Sequence, residues 1–506
     1  MSPAPLWVDL CHLGAIAAAA ALQAGVEFEV TVALRDGTVM LPMLGMAATG
    51  RGGPWNPAVL RLRANRVELV ADETVTAWPR ELETDSSEWL ALRRLDITVD
   101  DRRIEVFLDD LDPFRNCYDL PPAPRLDALS VGAWHRLMGE AWSLLVRHHR
   151  DRAAEIAVAL TSVVPLEKRR GTRSASAASS DAFGAIASTV PLTGQRLAAT
   201  LVHEVQHLKL DALVDMFTLY EDEGAELYYS PWRDDPRPLG SLLQGTFAHL
   251  ALADYWLRQR HYVTGGRAML GHFEFARCRD QCSDTARRLG ASGCLTELGV
   301  RFVGGIRATL GAWRQEAVPD EAAELARDAM TDHRLIWRLR NLRSDPDAVK
   351  LLGEAWAGGG RCPDLGLPPT SVIPSTRTLD HGRLELLYAQ LDDPGRFQRL
   401  VQGRPRPHDE LPATTSADLA DARGDHDHAV DGYVVEIADH PDDPARWAGL
   451  ALALSHAARD LAATALLACP ELVFDLHREV RQMTDTAPDP LALSRWLARL
   501  CPPTTS

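Results

Sequence analysis

A chain of 506 residues and 55.6 kDa is long enough for a large core and for about three domain-sized units. Hydrophobic residues at 46% and charged residues at 25% belong to a folded globular protein and argue against disorder. A formal charge of −16 repels phosphate backbones, so no nucleic-acid partner is expected.

The N-terminal stretch MSPAPLWVDLCHLGAIAAAAALQAG is apolar, yet it contains Asp9 and His12 and carries no Lys or Arg before Arg35. It therefore lacks the positive n-region of a signal peptide, and no segment reads as a clean apolar span of about 20 residues. A cytoplasmic location with no membrane partner is the expectation. Residues 26–110 alternate apolar and polar side chains in VEFEVTVAL, DGTVMLPMLG, AVLRLRANRVELVA and RRIEVFLDD, with RDGT and RANR at turns, and so predict a small β-rich segment. From residue 131, VGAWHRLMGEAWSLLVRHHRDRAAEIAVAL shifts to spacings of three and four, which predicts helices.

KRRGTRSASAASSD, residues 168–181, has no periodicity and predicts a loop. A strand edge is expected over Ala182–Thr189, followed after Pro191 by a long helix over residues 195–216. Residues 236–262 and 284–342 again read as helical, and GGGRCPDLGLPPTSVIPS at 358–375 as a linker. Beyond it, SADLADARGDHDHAVDGYVVEIADHPDDPARWAGLALAL shows a helix, a glycine turn, a helix, a proline break and a further helix, like one tetratricopeptide-type unit, with no chemistry assigned to it. The expected fold is α+β and mainly α. It comprises an N-terminal β-rich segment (1–125), a helical metal-binding catalytic domain with a zincin-like HExxH helix (126–357), and an α-helical, TPR-like C-terminal region (358–506). The eight cysteines, scattered along the chain, suggest thiols rather than a disulfide framework. Cys278, Cys282 and Cys294 match no standard zinc spacing.

The chemistry concentrates in LVHEVQHLKL. On a helix, His203 and His207 project from one face about 6 Å apart, which suits two imidazoles on one metal ion. Glu204 sits about 100° round, within reach of a metal-bound water or a substrate. Leu201, Val205, Leu208 and Ala212 form an adjoining apolar stripe, so the helix should be buried. A third ligand is needed. Glu226 stands about 20 residues beyond His207, as in glutamate-type zincins, with Glu223 a near alternative; His249, in GTFAHLALADYW, is the other candidate, and its alternative role is a core histidine. Between them, Arg233 and Arg237 in PWRDDPRP form a proline-stiffened pair suited to bidentate capture of a carboxylate, unless they pair with Asp234, Asp235 or Asp254.

The stretches DGTVMLPMLG, LDDLDPFR (108–115), LTSVVPLE (160–167), SASAASSDAFGAIA, LVHEVQHLKLDALVDMF and YYSPWRDDPRPLGSLLQGTFAHLALADYW, in that order, resemble the HExxH-type 2-oxoglutarate-dependent peptide β-hydroxylases of actinobacterial clusters for ribosomally made, modified peptides. The resemblance spans roughly residues 35–260. It implies Fe(II), 2-oxoglutarate and O2, a precursor peptide as substrate, and a radical-type modifying enzyme of the same pathway as a second candidate partner. It places the metal on His203, His207 and His249 and the oxoglutarate on Arg233 or Arg237. Two other functions stay open. One is a zinc metallopeptidase, with Glu204 as general base and Glu226 as third ligand. The other is a non-catalytic peptide-binding partner.

Overall fold

In FEVTVAL the alternation of side chains puts Val32 and Leu34 on one face of a strand and Thr31 and Ala33 on the other. The same pattern recurs along the N-terminal third and generates its strands. In the computed structural model the described residues are 5–49, 53–72, 74–79, 82–116, 120–167, 175–221, 226–264, 267–375, 382–403, 410–411, 413–457, 461–484 and 486–501. The structure is mixed, 56% helical and 17% strand, with an N-terminal sheet region and a helical remainder, as the sequence suggests at this level. Contacts divide it into two units, Met1–Ala212 and Leu213–Ser506, and neither boundary of the expected three-segment division coincides with that point.

The first unit opens with helix α1 (Leu6–Ala24), followed by β1 (Phe28–Leu34), β2 (Thr38–Leu41), β3 (Gly45–Ala48), β4 (Asn56–Arg63), β5 (Arg66–Ala71), β6 (Thr74–Pro79) and β7 (Trp89–Ala91). Strands β1-β4-β5-β6 form an antiparallel sheet and β2-β3-β7 a smaller one. Ala64 and Asn65 turn β4 into β5 with φ of 47° and 63°, the left-handed pair that a two-residue hairpin loop demands. Among the described helices, α1 alone is long and apolar enough to cross a membrane. Its Ala15, Ala18, Ala19 and Leu22 pack into one core with Val32, Leu60, Leu69 and Trp89, while Leu6, Leu10 and Leu13 are exposed.

A second sheet follows, built from β8 (Arg93–Val99), β9 (Arg102–Leu108), β10 (Ser162–Leu166), β11 (Ser176–Ala178) and β12 (Ala185–Thr189) in the order β11-β12-β10-β9-β8. β10 runs parallel to both β9 and β12, whereas β11 and β8 pair antiparallel at the two edges. The parallel step from β9 to β10 requires a crossover, supplied by α2 (Ala128–His148) and α3 (Arg150–Ala159). On α2, Trp134, Leu137, Met138, Ala141, Trp142 and Leu145 are all buried at helical spacing, and Asp127 caps its start by accepting from Ser130 N. Two expectations need correction. The segment 182–189 is not the sheet edge, because β12 is covered by β11; and β11 lies inside the stretch read as a loop. Ser, Ala and Gly supply too little periodic hydrophobicity to announce a three-residue strand.

LDDLDPFR has a structural task in this unit. Asp109 Oδ1 accepts from Leu111 N and Asp112 N, which turns the chain after β9. Asp110, 2% exposed, is gripped by Arg93 Nη1 at 2.7 Å and Arg125 Nη1 at 2.5 Å, and also accepts from Leu126 N. Asp110→Ala should destabilise the protein by about 1–3 kcal/mol, as measured by urea unfolding, because both guanidiniums lose a charged acceptor while Arg93 keeps Leu126 O and Arg125 keeps Asp85 and Ala91 O; Arg94→Ala at an exposed pair should cost less than about 1 kcal/mol.

The last helix of the first unit, α4 (Gly194–Met216), straddles the division between the units. The second unit continues with α5 (Leu239–Gln259), α6 (Ala268–Ala291), α7 (Glu297–Trp313), α8 (Asp320–Asn341) and α9 (Pro346–Ala357). Then come α10 (Gly382–Asp392), α11 (Pro394–Val401), α12 (Ser416–Ala422), α13 (His426–Asp439), α14 (Pro444–His456), α15 (Leu461–Ala468), α16 (Pro470–Thr484) and α17 (Pro490–Leu497). An antiparallel pair, β13 (Leu342–Ser344) and β14 (Thr370–Val372), joined across α9, places a short strand within the expected linker. Leu335, Leu352, Tyr433, Trp447, Leu450 and Leu476 share one core. Cys469 and Cys501 are joined as one disulfide, where the C-terminal end packs back beside α15, while Cys11, Cys278, Cys282, Cys294 and Cys362 are thiols, as expected of a chain without a disulfide framework. Cys278 and Cys282 are buried on α6, and burial pushes the Cys278 thiol up to about 12.

His477 on α16 is buried beside Trp447, with ring centroids 4.9 Å apart, and desolvation depresses it to about 4. Folded protein thus keeps this ring neutral where the unfolded chain, at an ordinary value near 6.5, would protonate it. Stability from this group is fully present above about pH 6.5 and is lost as the pH falls towards 4. Chemical unfolding at pH 7.5 and pH 4.5 should show an acid loss smaller by about 2–3 kcal/mol in His477→Gln than in the unsubstituted protein.

Candidate functional site

Helix α4 carries HExxH as expected, and its bounds match the sequence reading to within a residue at the N-terminus. Leu201, Val205 and Leu208 are fully buried, and so are Leu197, Ala198 and Val202 on adjoining turns; Ala212 is half-buried. Gln206 points the other way, donating to Glu155 Oε2 on α3 at 3.3 Å, and Lys209 pairs with the same carboxylate at 3.2 Å. These contacts fix the rotation of the helix about its axis. His203 and His207 consequently lie together on one half-buried face, with Nε2 atoms 3.2 Å apart and ring planes 79° to each other.

Glu204 is 2% exposed. Its Oε1 accepts from Ser176 Oγ on β11 at 2.6 Å, while Oε2 has no hydrogen-bond partner among the described residues. Burial pushes this carboxyl above its usual range; the nearby His207 and the Ser176 hydroxyl act in the opposite direction. The edge strand of the sheet thus touches the motif helix through one short hydrogen bond. Ser176 was missed by sequence reasoning because it sits in the stretch read as a loop, and no local signal marks it.

The other candidates belong to the second unit. Tyr228 and Arg237 form an isolated antiparallel bridge, which closes PWRDDPRP into a loop. Within it Arg233 Nε and Arg237 Nη1 converge on Asp235, at 3.1 Å and 2.9 Å. The arginines are brought together on one aspartate, one of the three pairings that the sequence allows. Asp234 offers its backbone oxygen to Asn341 Nδ2, and Asp254 pairs with Arg258.

His249 lies on α5, its Nδ1 2.9 Å from Gly245 O and its ring stacked on Trp232, centroids 4.1 Å apart and planes 14° from parallel. A carbonyl oxygen can only accept, so Nδ1 is the donor of this bond, and in the neutral form of the ring the lone pair lies on Nε2. Gly245 is required for this stack, because a Cβ there would come within 2.4 Å of Trp232 Nε1. The Trp232–Gly245–His249 arrangement was not read from sequence, although a glycine four residues before a helical histidine is its local trace. Glu226 is exposed and accepts from Tyr228 OH at 2.8 Å, a carboxylate satisfied without an ion. Glu223 lies outside the described residues.

No protein-family model matches the chain, and no curated protein is similar to it. The geometry supplies two imidazoles facing one point, a buried acid tied to a sheet edge, a paired guanidinium cluster, and a histidine oriented by its Nδ1 bond. Ser176→Ala should destabilise the protein by about 1–3 kcal/mol by leaving Glu204 without its hydroxyl donor, and Ser176→Thr should recover most of that loss in the same urea titration.

Proposed function

We propose that the protein is a cytoplasmic Fe(II)- and 2-oxoglutarate-dependent oxygenase that hydroxylates a β-carbon of a residue in a ribosomally synthesised precursor peptide. The observation that carries this is the His203–His207 pair, whose Nε2 atoms stand 3.2 Å apart on a helix locked by its buried faces. Adjacent donors on an ion with bonds of about 2.1 Å are separated by about 3.0–3.4 Å, so the pair fits a first-row metal. His203, His207 and His249 would hold the iron, with the His249 ring oriented by its Nδ1 bond to Gly245 O. Bound iron, with oxoglutarate and O2, supplies the oxidising chemistry that no side chain of the chain possesses.

The chain's own residues bind and orient. Arg233 and Arg237 are prealigned by Asp235 and offer forked donors to a dicarboxylate, which competes with Asp235 for them. β11 is a short edge strand, and its open side suits backbone pairing with an extended peptide, in the manner of zincin-like folds. Ser176 holds Glu204 so that the motif helix and this edge keep a fixed relation. The helices α12–α14 resemble one tetratricopeptide-type unit.

Anaerobic titration of the full chain with Fe(II) and 2-oxoglutarate should produce the visible charge-transfer absorption of an iron-bound keto acid. His249→Ala should abolish it and Glu226→Gln should retain it, while Lys in place of the oxoglutarate-binding arginine, Arg233 or Arg237, should raise the oxoglutarate concentration needed by about tenfold or more. With a precursor peptide, the product should gain one oxygen atom. Zn(II)-supported cleavage of the peptide, with metal lost in Glu226→Gln and kept in His249→Ala, would make it a metallopeptidase. A chain that binds the peptide but neither hydroxylates nor cleaves it is a non-catalytic partner.

A further inference from the structure

Three helix ends of the second unit meet at one carboxylate. Asp421 lies in the last turn of α12, His426 opens α13 and His456 closes α14. The chain reverses between the first two through Gly424, whose φ of 81° is left-handed; Gly424 N donates to Asp421 O and Asp425 N to Ala420 O, a closed C-cap. This tight turn carries the His426 ring back over the aspartate it has just passed. His426 Nδ1 lies 2.8 Å from Asp421 Oδ1, and His456 Nδ1 lies 3.2 Å from the same oxygen. The two rings are 4.9 Å apart, and one donor atom from each of the three residues can be chosen so that all lie within 4.8 Å of one another.

Both aspartate–imidazole spacings fall close to the separation of about 3.0–3.4 Å expected of neighbouring donors on an ion with bonds near 2.1 Å. An independent feature concerns the far side of the ring. His456 Nε2 faces Asp328 Oδ2 on α8 at 3.2 Å. Metal-ligating imidazoles almost always donate their second N–H to a carboxylate, a backbone carbonyl or water, which fixes the tautomer and raises the basicity of the ligating nitrogen; here Asp328 is that acceptor.

We propose that Asp421, His426 and His456 bind one first-row divalent ion of the zinc class, with Asp328 as the positioning residue of His456. The ion takes the place of the Nδ1 protons that both rings direct at Asp421, and those protons leave to solvent. Side-chain exposures of 32% for His426 and 26% for His456 leave a path for entry and room for water in the remaining positions. Without metal, His456 has a competing arrangement as an imidazolium between Asp328 and Asp421, which push it up to about 10. That arrangement explains His456 alone. His426 merely shares an oxygen in it, whereas an ion uses both rings. The ion would tie α8, α12, α13 and α14 together, independently of the HExxH helix.

The test uses the full chain carrying His203→Gln and His207→Gln, so that HExxH cannot contribute. After loading with Zn(II) at pH 8 and dialysis, metal analysis should find about one Zn(II) per chain. Co(II) loading should give a visible ligand-field spectrum. Adding His426→Gln, at a partly exposed position, should remove both signals with the circular dichroism unchanged, and adding Asp328→Asn should weaken Zn(II) affinity by about 10–100-fold. No retained metal in the double variant, or equal retention after His426→Gln, would overturn the proposal. If the unsubstituted chain holds one ion and the double variant none, the proposal fails while the HExxH reading stands; equal single occupancy of both supports the proposal and counts against HExxH.

Discussion

The hydrogen bond from Ser176 Oγ to Glu204 Oε1, 2.6 Å long, joins the outermost strand of a five-stranded sheet to the middle of the HExxH helix. A three-residue edge strand paired on one side is weak by itself. A carboxylate carried into the interior without a donor is costly. Each supplies what the other lacks. Because Glu204 sits about 100° round the helix from His203, fixing its direction limits how far α4 can roll, and with it where both imidazoles face. The contacts of Gln206 and Lys209 with Glu155 on the other side brace the same rotation.

Much of this was legible in the sequence for a physical reason. Side-chain alternation and the RDGT and RANR turns predict the N-terminal sheets, since a strand with one buried face must alternate and a two-residue hairpin must admit positive φ. The i, i+4 histidines predict a convergent pair because helix geometry alone brings them together. β11 was invisible, as its Ser-Ala-Ala character carries no hydrophobic pattern and it exists only because β12 and Glu204 receive it. The pairing of Cys469 with Cys501 was equally invisible: it depends on the path of the C-terminal helices, and spacing does not encode that path.

LDDLDPFR serves folding rather than chemistry. Its second aspartate is buried between Arg93 and Arg125, which come from the start of β8 and the approach to α2. Removing the carboxylate would take from both guanidiniums their shared acceptor, with Arg125 still held by Asp85 and Arg93 by Leu126 O, so the residue serves the fold without touching any candidate chemistry. The same distinction applies to Arg233 and Arg237. Their shared aspartate satisfies them in the isolated chain, and at the same time holds both forks where a second carboxylate could exchange with it.

The two histidine pairs differ in how the backbone makes them. His203 and His207 are set by one helix, so their spacing is cheap in entropy and detectable as a five-residue pattern; yet one helix face supplies only two ring nitrogens. His426 and His456 reach Asp421 only because α12 ends in a glycine turn and α14 returns to the same place, an arrangement paid in loop closure and in the packing of Tyr433 and Trp447 in the core below. Donors gathered in that way come from separate helices, and an ion binding them cross-links those helices in a manner that a pair on one helix cannot. Each such donor set is therefore sensitive to a different loss: the first to anything that rolls α4, the second to anything that loosens the turn at Gly424.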